Sequence, residues 1–135
     1  MTRQQFVEAV AADADGHGLR NLTIPFKASF TYDVPGTKLR FCFVGMASET
    51  GGDEGLLRRA QMQAFLIPAL QAALQEGKWV ILASHHGLGY LGDGSMATKE
   101  ARAEAVPSAE LLTLFRNYGN IIASITGHSH EHVVN

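Results

Sequence analysis

The sequence predicts an α/β fold, and three observations carry that expectation. Two continuous apolar runs, over 79–83 and 121–126, read as strands buried on both faces, the habit of parallel strands covered by helices. A long helical pattern over about 56–76 precedes the first run, and a shorter helix over 108–118 separates the two. Upstream, residues 26–44 alternate apolar and polar positions around a Val34-Pro35-Gly36-Thr37 turn signal, which predicts a β-hairpin.

In chain order, Phe6, Val7 and Val10 give residues 3–11 a short helical pattern, and the Asp13 to Gly18 stretch is turn-forming. The hairpin strands are expected over 26–32 and 39–44, and 47–55 forms a loop. Met62, Leu66, Ala69 and Ala73 stripe one face of the long helix, while Gln61, Gln71 and Gln75 mark a solvated one. Pro68 lacks an N–H donor and predicts a kink or break over 64–68, and Gly77 is placed to cap the end. Four glycines over 87–95 demand a loop. Ser108 is expected to cap the second helix and Gly119 to end it.

At 135 residues the chain is one domain or part of one, and 46% hydrophobic residues suffice for a core. A formal charge of −2 excludes a dominant basic surface and argues against nucleic-acid binding as such. The single Cys42 excludes an internal disulfide and any multi-cysteine zinc cluster. No apolar run approaches the ~18 residues that span a membrane, and residues 1–6 carry no signal-peptide core, so a soluble, cytoplasmic protein is the default expectation.

The chemistry lies in the histidines. Five of the six, His85, His86, His128, His130 and His132, fall in the last 51 residues, and each apolar run ends directly in a cluster of them. Ligands of open α/β sheets bind beyond the carboxyl ends of the strands. If the two strands are parallel neighbours, His85 meets His128 and His130 at one edge. Positions 128 and 130 point the same way in extended backbone. Neutral imidazoles at such spacing are good ligands for zinc, manganese or iron.

Ile81-Leu82-Ala83-Ser84-His85-His86, followed downstream by Ile125-Thr126-Gly127-His128-Ser129-His130, resembles the last two signature blocks of the calcineurin-like metallophosphoesterases. The resemblance implies the carboxyl-terminal half of that family's β-sandwich flanked by helices, and a phosphate-ester substrate. It makes His85 and His128 ligands of one metal and His130 a ligand of the second. It leaves His86 as the candidate catalytic position, either supporting a ligand or facing substrate, and His132 just beyond the motif. In the complete family domain two metal ions clamp the phosphate oxygens and supply a hydroxide nucleophile.

The family's earlier blocks, Asp-x-His, Gly-Asp and Gly-Asn-His, have no counterpart in the right context. Asp15-Gly16-His17 follows no β-branched strand, Gly92-Asp93 comes after the His85 block, and Gly119-Asn120 lacks the following histidine. Phe43-Val44-Gly45-Met46 stands where many relatives end the strand in Leu-Asp-Thr or Leu-Asp-Ser. Glu49, Asp53 and Asp93 are carboxylates of solvated loops. The chain is therefore expected to be an amino-terminally incomplete metallophosphoesterase that holds one metal and turns over poorly. It should also be prone to self-association through the uncovered sheet. The alternative is a non-catalytic metal-binding or interaction module that retains the histidine half-site.

Overall fold

The computed structural model describes Gln5 and residues 29–46, 55–87, 91 and 103–127. In chain order these form β1 (Phe30–Asp33), β2 (Leu39–Phe43), α1 (Arg59–Gln61), a π-helical turn (Met62–Leu66), α2 (Ile67–Gln75), β3 (Trp79–Ser84), α3 (Ser108–Arg116) and β4 (Ile121–Thr126). The strands make one mixed sheet in the order β1-β2-β3-β4. β1 and β2 are antiparallel, whereas β2–β3 and β3–β4 are parallel. The two histidine-terminated strands are thus neighbours, as expected. Of the helix expected over 3–11 only Gln5 is described, and it is helical; the start of the hairpin, over 26–28, lies outside the described residues.

The hairpin turns where Pro35 and Gly36 direct it. Gly36 adopts φ +73°, and the Thr37 N–H donates to the Val34 carbonyl at 3.2 Å. Proline followed by a positive-φ glycine is the chemistry of a type II turn. Below the turn, Arg40 of β2 grips Asp33 of β1 through two hydrogen bonds of 2.6 and 3.0 Å and reaches Glu76 at 2.8 Å. Lys78 also pairs with Asp33.

The long helix starts at Arg59 rather than at 56, because the preceding backbone is engaged elsewhere: Gly55 bridges Leu91, the Leu56 N–H donates to the Met46 carbonyl at 2.7 Å, and Arg58 bridges Ala105. The break anticipated at Pro68 takes the form of the π turn, in which the Ile67 N–H bonds Met62, five residues back. A π turn is one of the few ways to accommodate a helix irregularity without unwinding it. Gly77, at φ +63°, ends α2. Lys78 N–H then bonds Ala73 and Gly77 N–H bonds Leu74, the paired closure of a Schellman cap.

Phe65, Leu66, Leu70 and Ala73 of the helix and Leu111 of α3 cover one sheet face, built from Cys42, Val44, Val80 and Leu82. Each fully buried aliphatic side chain here contributes roughly 1.5–3 kcal/mol. Gln61 departs from expectation: it is buried, not solvated. It shares the inward face with Phe65, one turn on.

The second sheet face also departs from expectation. In β3 only Val80 and Leu82 are buried, while Trp79 is half exposed. β4 is open almost throughout, with Ile122 and Ile125 53% and 54% exposed. An apolar run signals a strand but not how many faces are covered, and the described helices pack on one side. Two caps also differ. Pro107, not Ser108, is the N-cap residue of α3, with its carbonyl taken by the Glu110 and Leu111 N–H groups. The helix ends at Arg116, before Gly119.

Candidate functional site

The three parallel strands finish level. Val44 N–H donates to the Ala83 carbonyl at 2.8 Å, Ser84 pairs with Thr126, and Gly127 N–H donates to the His85 carbonyl at 3.0 Å. Immediately past this edge the Ser84 hydroxyl donates to the His86 carbonyl at 2.8 Å and bends the chain out of the strand. The bend separates the two imidazoles: His85 is exposed, and His86 is buried at 5% exposure. Their rings meet edge to face, 4.9 Å apart and at 90°.

His85 opens onto a cleft of about 430 Å³. Ser84, Thr126 and Gly127 line it beside His85, and its apolar wall is formed by Phe30, Phe43, Val44, Ala83 and Ile125. Phe30 and Phe43 stack at 4.4 Å with an interplanar angle of 12°. The His85 ring faces Gly127 with room for a side-chain carbon between them, since a Cβ at 127 would sit 3.5 Å from Nδ1, an ordinary contact. His86 is not among the residues that line the cleft.

Beneath the end of β2, Gln61 Nε2 donates to Ser29 Oγ at 2.9 Å and to the Gly45 carbonyl at 2.7 Å, while Gly45 N–H donates to Ser29 Oγ at 3.0 Å. This triad ties down the strand end, Val44 to Met46, where the resembling family carries an aspartate. Sequence reading missed Gln61 and Ser29. The available signal was the placement of Gln61 one turn before Phe65.

His128, His130 and His132 lie outside the described residues, as do Glu49, Asp53, Asp93, Asp15 and His17. Among the described residues no group of three or more His, Cys, Asp or Glu side chains is placed to hold a metal ion. Cys42 is no candidate, since burial pushes its thiol up to about 12 and it packs under the helices. Of the imidazoles read from the sequence as metal ligands, His85 alone is among the described residues. No described helix is long and apolar enough to cross a membrane. No protein-family profile, curated protein or solved structure matches the chain.

Proposed function

We propose that this chain carries the histidine half of a calcineurin-like metallophosphoesterase site and acts on a phosphate ester. His85, His128 and His130 would hold a divalent or trivalent metal, zinc, manganese or iron. The observation that carries this reading is the level ending of β3 and β4. It sets the exposed imidazole of His85 against Gly127, the residue that immediately precedes His128. When bound, the metal would polarise a phosphoryl oxygen and neutralise developing charge. Thr126 lines the cleft with a hydroxyl able to meet a further oxygen, whereas the Ser84 hydroxyl is engaged by the His86 carbonyl. The face bearing the half-buried Phe41, Phe43 and Ile81, on which no described helix packs, supports the sandwich architecture, because a second sheet packed there would bury it further.

No carboxylate is among the described residues that line the cleft, and this favours a second reading, a non-catalytic metal-binding or interaction module. On either reading turnover should be poor, since each missing charge-stabilising contact costs about 10²–10³ in rate. The test is zinc titration of the chain against His85→Ala and His128→Ala. Equal affinity in all three would refute the metal site. Hydrolysis of p-nitrophenyl phosphate and its bis-ester with added manganese or zinc separates the two readings. Measurable turnover that disappears in His85→Ala and His130→Ala supports the enzyme, and tight zinc binding without turnover supports the module.

A further inference from the structure

We infer that Gly55 and His86 act as a wedge that sets the direction of His85, a positioning role that rests on reading His85 as a metal ligand. Gly55 is pressed against His86. A Cβ at 55 would lie 2.6 Å from both Cβ and Cγ of His86 and 3.1 Å from Nδ1, closer than such atoms approach. Gly55 itself is held in place. It bridges Leu91, and the Leu56 N–H next to it is bonded to Met46. Leu57 is fully buried, and its carbonyl takes the Val106 N–H at 2.9 Å. The segment cannot retreat, so a side chain there must displace His86. Nor can His86 absorb the push by turning its ring, since its Cβ is fixed to the backbone. That backbone is one peptide from His85 and is bent by the Ser84 hydroxyl bond to the His86 carbonyl. The edge-to-face contact of the two rings transmits the same displacement through the side chains. On its other side the His85 backbone is tied to β4, its carbonyl accepting the Gly127 N–H at 3.0 Å.

The experiment compares the full chain with Gly55→Ala, His86→Gly and the double variant, with Gly119→Ala as the control because nothing lies within 4 Å of a Cβ there. The readouts are the His85 ring resonances in the metal-free protein and zinc affinity by calorimetry. Gly55→Ala should shift the His85 resonances and weaken zinc by about 10–100-fold, the usual effect of disturbing a ligand's support. His86→Gly should weaken zinc comparably, and adding Gly55→Ala to it should change nothing more, because the collision is gone. Unshifted resonances with full affinity in Gly55→Ala, or additive losses in the double variant, would overturn the wedge. If Gly55→Ala unfolds the chain, recovery of the fold in the double variant supports the wedge and continued unfolding overturns it. Failure of the unmodified chain to bind zinc refutes the metal reading alone, and the ring resonances still decide the wedge.

Discussion

Two glycines of this chain reject a side chain for different reasons, and the difference is measurable. Gly77 has open space around it but φ +63°, so Gly77→Ala should cost about 1 kcal/mol of backbone strain and leave the site untouched. Urea unfolding should register that loss with zinc affinity unchanged. Gly55 has the opposite problem, collision without a left-handed backbone. Cys42 supplies a third test. Its buried thiol, pushed up to about 12, should resist a disulfide reagent at pH 8 in the native chain and react fully in denaturant. Rapid native reaction would mean that the helix-covered face opens far more readily than its packing implies.

At the scale of elements, the opposite end of the sheet from the cleft is tied by charge. Arg40 is buried and clamps Asp33 and Glu76, joining β1, β2 and the end of α2, while Lys78 adds the start of β3. Hydrogen bonding from Arg40 first, then from Lys78, holds the Asp33 carboxyl down to about 2 against the raising effect of burial. A carboxyl lowered on folding stabilises the native state above its unfolded value. That contribution is lost as pH falls through the native value. The side chain is 42% exposed, so the contribution is discounted to about 1 kcal/mol. Asp33→Asn should therefore lower stability near pH 7, with the deficit shrinking as pH falls toward 2 and vanishing only below it, as read by urea midpoints across that range. Elements were also the scale at which the sequence spoke most clearly. The Pro35-Gly36 turn, the Gly77 cap, the disturbance at Pro68 and the adjacency of the two histidine-bearing strands were legible, because each depends on local backbone chemistry or a known topological preference. Gln61 reaching Ser29 and Arg59 pairing with Glu110 were not, since both join positions far apart in sequence. The one-sided burial of β3 was hidden for a related reason: period and polarity report a strand, not what packs on it. Of the candidate site, the placement of His85 at the shared strand edge was legible, and the close approach of Gly55 to His86 was not, since the two lie far apart in sequence.

At the scale of the whole molecule, the described helices cover one face of the sheet, and Tyr32, Trp79 and Ile125, all about half exposed, stud the other. Among the described strands β4 has a neighbour on one side only, and its sequence, Ile-Ile-Ala-Ser-Ile-Thr, carries no charge to discourage pairing. Concentration-dependent self-association is expected in sedimentation velocity. Ile125→Lys, which places a charge on the open face, should reduce it without disturbing the helix-covered core. Association unaffected by that change would exonerate this face.

The position of β3 between two partners and of β4 at the margin has a kinetic consequence. Amide hydrogens of Val80 to Ser84 should exchange with solvent only through the rarest openings, whereas those of Ile122 to Thr126 should exchange through frequent local fraying. His85 thus hangs from the slow half of the sheet and Gly127 from the fast half. A ligand that engages both must arrest the fraying of β4, and part of its binding free energy goes into that ordering. Exchange at β4 should slow on zinc addition while exchange at β3 stays as it was, so the protection of one marginal strand becomes a gauge of occupancy at the cleft.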